Sequence, residues 1–324
     1  MKVVRVESRR DLKAFIELPY AKYGDDPCWA PPLRIEEWEQ FDPGKNPSYD
    51  HLEIDLFLAM DAGRVVGRIA AIEDHLHAST HGERVGCFGF FEAEGLAAAR
   101  CLMEAAERWA RGRGLSRLRG PMNPSLNQTA GLQIDAFDEP PFLLTPHTPP
   151  EYVDHMERLG YRKLKDLYAW KIDLSQPARG DLVRIAKRIR RRHGATIRSL
   201  DMRSYDREVL TILAIHSEAW ADNWGFIPPT VREFTSLARK MRMLMDPRLV
   251  LFVEVEGETA GFCVTLPDLN QGLRKIAGRL LPFGWLRLLW EKKGIDRVRM
   301  PLLGIRRKYR GKGLFAPLIV ESIT

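Results

Sequence analysis

The residues best suited to chemistry form a run of glycines and basic side chains, Leu302-Leu-Gly-Ile-Arg-Arg-Lys-Tyr-Arg-Gly-Lys-Gly-Leu-Phe315. Its pattern predicts a strand, then a turn, then the start of a helix. A turn of this kind gathers backbone N–H groups at the positive end of a helix dipole, which suits a pyrophosphate. The run has neither the G-x-x-x-x-G-K-[ST] spacing of an NTPase loop nor the G-x-G-x-x-G dinucleotide fingerprint. We therefore expect a different kind of phosphate cradle, the alternative being a basic surface turn.

The elements around this run follow an order that occurs twice in the chain. Each half is predicted to contain a hairpin, a further strand and then a helix, which suggests two copies of one fold unit. The first copy is predicted from a hairpin at 55–60 and 64–72, a strand at 85–91 and a helix at 93–111, with a last strand at 168–172. The second is predicted from helices at 181–193, 206–222 and 230–243, a hairpin at 249–255 and 259–266, a strand at 297–304 and a helix from 313.

The segment Arg310-Gly-Lys-Gly313-Leu314 resembles the R-x-x-G-x-G/A acyl-CoA pyrophosphate loop of the GNAT superfamily of acyltransferases. The resemblance implies acetyl-CoA or a longer acyl-CoA as co-substrate, with no metal. It implies that the strand residues Leu303, Gly304 and Ile305 bind the pantetheine arm. The implied loop residues are Arg310, Gly311, Lys312, Gly313, Leu314 and Phe315. Phe315 departs from the family pattern, because it stands at the last G/A position.

Further motifs extend the resemblance over nearly the whole chain, to the bacterial tandem-GNAT proteins often called YghO-like. They are Trp29-Ala-Pro-Pro-Leu33, Gly67-Arg-Ile-Ala-Ala71, Gly86-Cys-Phe-Gly-Phe-Phe-Glu92, Gly120-Pro-Met-Asn-Pro124, Lys165-Asp-Leu-Tyr168 and Ala219-Trp-Ala-Asp-Asn-Trp-Gly-Phe226. Some relatives in that group are implicated in bacterial ceramide synthesis, so the resemblance implies N-acylation of a lipid or sphingoid-type amine. The implied fold is α+β, a mixed α/β protein with two tandem GNAT-like units.

The predicted domains are a degenerate, non-catalytic GNAT-like domain at 1–173 and an acyl-CoA-binding GNAT-like domain at 174–324. The first copy has the acidic sequence Phe91-Glu-Ala-Glu-Gly-Leu96 at the position of the cradle, which would repel a pyrophosphate. The second copy stops one or two turns into its last helix, so we expect it to be incomplete.

A GNAT-like site lets an amine attack the thioester directly, so the protein must supply a general base. Asp268, which follows the second hairpin, is the preferred candidate for the base, and Glu218 is the other. Asn223, Trp224 and Asn270 are candidates to line the acceptor pocket. Their structural alternatives are a helix cap, a core aromatic and a turn former.

Between the second hairpin and the cradle strand lies an insertion, 272–293, with the pattern of two basic amphipathic helices. Its tryptophans and basic residues are typical of a segment in the interface of an anionic bilayer, with Trp285, Trp290, Arg279 and Arg287 as the predicted membrane contacts. The alternative is an apolar stripe that covers the protein's own core.

A second basic run, 184–193, is interpreted as a solvated helix face, and nucleic acid is not an expected partner.

Charge and composition limit the function classes. The chain of 324 residues is 45% hydrophobic, which excludes a disordered protein, and its net charge of +7 divides into −6 before Leu174 and +13 from there on. It lacks a run of about 18 apolar residues, and its four cysteines are scattered, so we expect a cytoplasmic protein, peripheral at most to the inner face of a membrane. His75, His77 and His81 are interpreted as part of a solvated loop rather than a metal site.

Two further functional hypotheses stand beside the lipid-amine acyltransferase. One is a soluble N-acetyltransferase of a small-molecule or protein amine, and the other is a non-enzymatic basic scaffold that binds membranes or nucleic acid.

Overall fold

The computed structural model describes residues 1–176, 178–243 and 245–323. In chain order its strands are β1 (Lys2–Arg5), β2 (Leu52–Asp61), β3 (Arg64–Asp74), β4 (Gly86–Ala93), β5 (Leu118–Arg119), β6 (Met122–Asn123), β7 (Thr129–Ala130), β8 (Thr196–Ser199), β9 (Val250–Val255), β10 (Glu258–Pro267) and β11 (Val298–Ile305).

The α-helices are α1 (Arg9–Lys22), α2 (Arg34–Gln40), α3 (His75–His81), α4 (Gly95–Gly112), α5 (Glu151–Arg158), α6 (Gly180–His193), α7 (Tyr205–Trp220), α8 (Val231–Met241), α9 (Asn270–Ile276), α10 (Gly284–Glu291) and α11 (Phe315–Ile323). Short 3-10 turns occupy Pro47–Asp50, Met202–Ser204, Pro247–Leu249, Lys292–Gly294 and Arg307–Tyr309.

The chain forms two compact units. The first unit comprises Met1–Leu167 together with Leu269–Gly294, and the second comprises Tyr168–Asp268 together with Ile295–Thr324. The domains predicted from the sequence instead divide at 173, with the insertion 272–293 in the second domain. The insertion follows the second hairpin along the chain, but its contacts group it with the first unit.

Each unit is built on a sheet with one tight hairpin. The first has the strand order β1-β2-β3-β4-β5, and the second has the order β11-β10-β9-β8 with antiparallel pairs throughout. The hairpin turns carry positive φ at both central residues, Ala62 and Gly63 in the first unit and Glu256 and Gly257 in the second. Such turns match the twist of the strands that they join. Both predicted hairpins are therefore present.

Helix α4 covers one face of the first sheet. Its apolar side chains Ala99, Leu102, Met103 and Ala106 are almost completely buried, and they recur at the spacing of one helix face. Ser8 caps α1: its hydroxyl accepts the Asp11 N–H, while the Asp11 carboxylate accepts the Ser8 N–H. This reciprocal pair is a capping box, which the spacing of Ser8 and Asp11 in the sequence also predicts.

The second sheet is buried on both faces, because β9 and β10 have apolar residues at successive positions rather than alternate ones. One face packs against Leu314 and Leu318, which lie just before and within α11. On the other side α7 approaches so closely that a Cβ on Gly304 would lie 3.3 Å from the Cβ of Ala219. The strand that carries the cradle is thereby fixed between two helices.

Three local expectations from the sequence are wrong. The segment 168–172 is not a strand, and its residues Tyr168 and Trp170 are exposed. Residues 75–81 form helix α3 rather than a loop, because the Asp74 side chain caps it by accepting the N–H groups of Leu76 and His77. The five prolines between positions 27 and 47 predict an irregular segment, but the structure forms helix α2 within it.

Within the described residues, no helix is long and apolar enough to cross a membrane. The same residues contain no group of three or more His, Cys, Asp or Glu side chains arranged to hold a metal ion.

Candidate functional site

The candidate site is an open pocket of ≈ 510 Å³ in the second unit. It lies where β11 runs into the turn before α11 and faces the carboxyl end of α7. The residues that line it are Ala219, Trp220, Asn223, Leu303, Gly304, Ile305, Tyr309, Arg310, Gly311, Gly313, Leu314 and Phe315. Of the nine residues proposed for acyl-CoA, all but Lys312 are in this set.

The cradle loop bends at two glycines. Gly311 has φ +78° and Gly313 has φ +74°, in the left-handed region that residues with a Cβ rarely adopt. A Cβ on Gly313 would also lie 2.8 Å from Cδ1 of Ile189 in α6. The two glycines therefore set the path of the backbone, and hence where its N–H groups lie, before α11 begins at Phe315.

Arg310 fastens the loop to the end of α7. Its Nη2 donates to the Ala219 carbonyl at 2.6 Å and its Nη1 to Oδ2 of Asp222 at 3.0 Å. Asp222 also accepts a bond from Nη2 of Arg307 at 3.0 Å through its other carboxylate oxygen. One exposed aspartate thus holds the guanidinium groups of two loop arginines beside the pocket.

Glu218, one of the two proposed bases, lies one residue before the pocket lining and clamps the loop. Its Oε1 accepts the backbone N–H of Arg307 at 2.6 Å, and its Oε2 pairs with Nη1 of Arg306 at 3.0 Å. Both carboxylate oxygens are therefore engaged in holding β11 and the loop against α7.

Trp220 connects α7 to the strand, because its indole N–H donates to the Leu303 carbonyl at 3.0 Å. His216, one turn earlier, lies against the rings of Trp220, Phe226 and Phe234. Burial among these rings lowers the pKa of His216 to about 4, so the imidazole is neutral near pH 7. A neutral histidine here packs as an aromatic ring that holds Trp220 in place.

This buried imidazole predicts a loss of stability in acid. Unfolded, His216 would titrate near its usual pKa of about 6.5. The neutral imidazole therefore makes its full contribution to the free energy of unfolding above pH 6.5. As the pH falls to about 4, the free energy of unfolding decreases by roughly 3 kcal/mol, because the unfolded chain takes up a proton more readily than the folded one. Urea unfolding at pH 7 and pH 4 measures the change, with His216→Phe as control because phenylalanine does not titrate. Equal acid sensitivity of the two proteins would contradict the prediction.

Asp268, the preferred candidate for the base, follows the last residue of β10 and is 0% exposed. Its Oδ2 lies 2.9 Å from Nη2 of Arg297, and its backbone N–H donates to the Arg297 carbonyl at 2.9 Å. The neighbouring Arg299 is buried enough to lower its pKa, although Asp268 acts in the opposite direction. Asp268 does not line the pocket described above.

The proposed acceptor residues are dispersed. Asn223 lines the pocket, whereas Trp224 does not. Asn270 begins α9 in the first unit, where its amide donates to the Pro141 carbonyl at 2.9 Å. Trp220 and Tyr309 also line the pocket, although neither is among the site residues predicted from the sequence. Trp220 lay within a quoted motif, and its spacing of four residues from His216 placed both rings on one helix face.

The first unit has a buried acidic cluster where β4 runs toward α4. The Glu92 carboxylate accepts the hydroxyls of Tyr23 at 2.6 Å and Tyr152 at 2.8 Å, and it pairs with Nζ of Lys22 at 3.1 Å. Burial, reinforced by Glu92, raises the pKa of both tyrosines, so they stay protonated donors. The backbone N–H of Ala93 is in turn taken by the Tyr152 hydroxyl oxygen at 2.8 Å.

The strand β4 also contains a bulge, and a side chain of the same unit binds the backbone there. A register shift falls opposite Arg68 to Ala70, and Phe90 adopts a positive φ of 49° there. The Phe90 N–H donates to Oδ1 of Asn123 at 2.5 Å. A Cβ on Gly89 would lie only 1.6 Å from the Met122 carbonyl oxygen, so β6 rests directly on this strand.

Comparison with known proteins shows which fold this architecture belongs to. One similar solved structure is a tandem GNAT protein from the clavulanic acid biosynthesis pathway, with a TM-score of 0.52 and 13% identity; the match covers 99% of this chain and 84% of that one. Another is a GCN5-related glucosamine N-acetyltransferase region in a fungal multi-domain GH3 β-N-acetylglucosaminidase, with a TM-score of 0.53 and 12% identity. This match covers 99% of this chain and 33% of that one. These likenesses define the fold as a tandem GNAT fold. No family model matches the chain.

Two known protein sequences match over almost the full chain. The bacterial ceramide synthase of Caulobacter vibrioides is 42% identical over 317 residues, which are 96% of this chain and 82% of that protein. Protein YghO of Escherichia coli is 36% identical over 326 residues, which are 98% of this chain and 82% of that protein. The chain belongs to the family of these two proteins and is an acyltransferase of the GNAT type, which sets aside the non-enzymatic scaffold.

Proposed function

We propose that the protein is an acyl-CoA-dependent N-acyltransferase whose acceptor is a lipid or sphingoid-type amine. The observation that carries the proposal is the pocket in the second unit, which is lined by eight of the nine residues that the GNAT resemblance assigns to acyl-CoA. The relative named bacterial ceramide synthase supports the choice of acceptor, because a ceramide is the N-acyl derivative of a sphingoid base. Such an amine resides in a bilayer, so we also propose a cytoplasmic enzyme in peripheral contact with the membrane.

The chain's own residues fit the phosphates of acyl-CoA. The loop offers the backbone N–H groups of Gly311, Gly313, Leu314 and Phe315 at the amino end of α11, where the helix dipole favours an anion. The guanidinium groups of Arg307 and Arg310 lie beside it and are held in position by Asp222. The strand residues Leu303 to Ile305 give the pantetheine arm an apolar and peptide-lined wall.

The transfer that we propose is a direct one. The amine nitrogen attacks the thioester carbonyl, the C–N bond forms, the C–S bond breaks, and the thiolate of CoA leaves and takes up a proton. A base must first remove a proton from the ammonium form of the acceptor. Asp268 remains our proposal for this base, and its ion pair with Arg297 keeps its carboxylate oriented. The role of Glu218 is better explained by its two bonds to the cradle loop.

We propose that the first unit is non-catalytic. Its strand end carries a buried glutamate whose carboxylate is already bound by two tyrosines and a lysine, and the sequence 91–96 has no counterpart of the exposed arginines beside the second unit's cradle. The Phe90 and Ala93 N–H groups, at and after the bulge, already donate to Asn123 and Tyr152. Neither is available to polarise a bound thioester.

The proposal predicts that replacing Arg310 weakens acyl-CoA binding. Arg310→Ala removes a cation beside the phosphates and the tie to Ala219, and one charge-assisted hydrogen bond contributes about 1.5 kcal/mol. The Kd for palmitoyl-CoA, measured by calorimetry below its micelle concentration, should therefore rise about tenfold. Arg248→Ala is the matched control, because Arg248 is also exposed and paired with an aspartate in the same unit, at 2.7 Å. Equal Kd values for the two variants would contradict the prediction.

The acceptor is tested by turnover. The wild-type protein should convert palmitoyl-CoA and sphinganine to the N-acyl product, detected by mass spectrometry, and release one free thiol for each amide formed. Turnover of acetyl-CoA with small soluble amines but not with sphinganine would support the soluble N-acetyltransferase instead. Product formation that persists in the Arg310→Ala variant at saturating palmitoyl-CoA fits a role in binding, because that substitution removes no group that moves a proton.

A further inference from the structure

The two helices α9 and α10 are fixed to the first unit by one face. Ile276 and Leu288 are buried and cluster with Leu33. The Arg34 N–H donates to the Gly278 carbonyl at 3.0 Å, and a Cβ on Gly278 would meet the Pro32 carbonyl oxygen at 2.2 Å. The inner face of this segment therefore packs against the protein's own apolar residues, as one face of an amphipathic helix usually does.

The residues on the opposite side are apolar as well. Leu281, Phe283 and Trp290 expose 80%, 72% and 72% of their surface. Further large apolar side chains in the same stretch are about half exposed, namely Trp285, Leu286 and Leu289. Six exposed apolar side chains within ten residues form a patch rather than scattered positions. We call the residues 281–290 the apolar tip.

The exposed side chains include the predicted membrane contacts Trp285 and Trp290, together with Leu286 and Leu289, whereas Leu288 is the buried residue of α10. Helix α9 ends at Ile276, and Ala277 after it has a φ of 48°, so the segment consists of two short helices joined by a turn. One face of the segment packs against the first unit, and the apolar tip is what this packing leaves exposed.

Charge indicates what the apolar tip binds. The segment 269–294 contains six basic residues and one acidic residue, Glu291. Glu291 is mostly buried and pairs with Nζ of Lys275 at 2.5 Å and with Nε of Arg287 at 3.9 Å. Arg279, Arg287 and Lys293 are exposed around the tip. Aromatic and leucine side chains ringed by cations suit the boundary between acyl chains and anionic headgroups.

We propose that the apolar tip inserts into the headgroup region of an anionic bilayer, while Arg279, Arg287 and Lys293 bind lipid phosphates. Each basic residue near such a surface favours binding, and the apolar side chains add to it by leaving water. The proposal goes beyond acyl transfer, because vesicle binding is measured without acyl-CoA or amine. Its failure would leave the proposed chemistry untouched.

The test is cosedimentation of the full chain with vesicles of phosphatidylcholine alone and with added phosphatidylglycerol. The wild-type protein should bind the anionic vesicles strongly and the neutral ones weakly. Arg279→Gln combined with Arg287→Gln should weaken binding to anionic vesicles about thirtyfold and leave neutral vesicles unaffected. Phe283→Ser combined with Trp290→Ser should weaken binding to both kinds of vesicle at least tenfold. Trp170→Ser is the matched control, since Trp170 is 87% exposed outside this segment, and it should bind like the wild type.

Two results would overturn the proposal. In the first, the tip variants and the Trp170→Ser control bind vesicles equally. In the second, the wild-type protein ignores vesicles and forms a dimer in sedimentation velocity that the Phe283→Ser and Trp290→Ser changes abolish. The occupant of the tip would then be a second copy of this chain. Circular dichroism of each variant separates these results from misfolding.

Discussion

Replacing Asp268 with alanine is expected to lower the free energy of unfolding by about 3–5 kcal/mol. The carboxylate is completely buried and forms an ion pair with Arg297 at 2.9 Å. The substitution removes a buried negative charge that faces both Arg297 and the buried Arg299, which accounts for the size of the effect. Urea unfolding of the full chain near pH 7, followed by circular dichroism, measures the loss.

The control is the exposed pair between Arg190 and Glu321 in the same unit, at 3.5 Å. Glu321→Ala should cost about 1 kcal/mol or less, because solvent screens exposed ion pairs. A similar cost at both positions would contradict the burial argument. Asp268→Asn then addresses the proposed catalytic role. If that variant folds, a fall in kcat at unchanged KM for palmitoyl-CoA supports a base, whereas full activity rejects Asp268 as the base.

The second large effect is expected at the cradle. Gly313→Val should raise the Kd for acyl-CoA about 100-fold, because a β-branched residue cannot adopt a φ of +74° without strain. The backbone would then leave the path that directs its N–H groups toward the pocket. Two charge-assisted hydrogen bonds at about 1.5 kcal/mol each account for a change of this size. Calorimetry with palmitoyl-CoA measures it.

Gly257→Val provides the comparison. Gly257 has a φ of +79° in the hairpin turn of the same sheet, and a Cβ there has no heavy atom within 4 Å. Both variants carry the same kind of backbone strain, and Gly313→Val adds a close contact with Cδ1 of Ile189, so Gly313→Val should lose the more stability of the two. Only Gly313→Val should lose acyl-CoA. If both bound acyl-CoA normally, the loop would not be the phosphate cradle.

Much of the fold could be predicted because it depends on local signals. The turn residues Asp61 to Gly63 and Glu256 to Glu258 specify tight hairpins, and the apolar spacing of α4 specifies its buried face. The cradle was recognisable for the same reason, since its glycines and Arg310 are contiguous in the chain. These features need no information about distant residues.

The remainder depends on contacts between residues that are distant in the chain. The role of Glu218 follows from bonds to Arg306 and Arg307, 88 and 89 residues later. The exposed side of α10 was ambiguous because apolar residues surround the helix, and only the packing of Leu288 against Leu33 decides which face is buried. The expected strand at 168–172 had the alternating pattern but gained no partner strand.

Asp222 also affects how an anionic ligand would enter the cradle. Arg307 and Arg310 each donate to one of its carboxylate oxygens at 3.0 Å, so the loop already holds an anion of its own. A pyrophosphate that binds these guanidinium groups would displace the carboxylate of Asp222 from them, rather than chloride ions from solution. Binding is then largely an exchange of one anion for another, and it releases fewer salt ions than the number of basic residues suggests. The affinity of the cradle should accordingly depend only weakly on ionic strength, because the chain carries its own counterion.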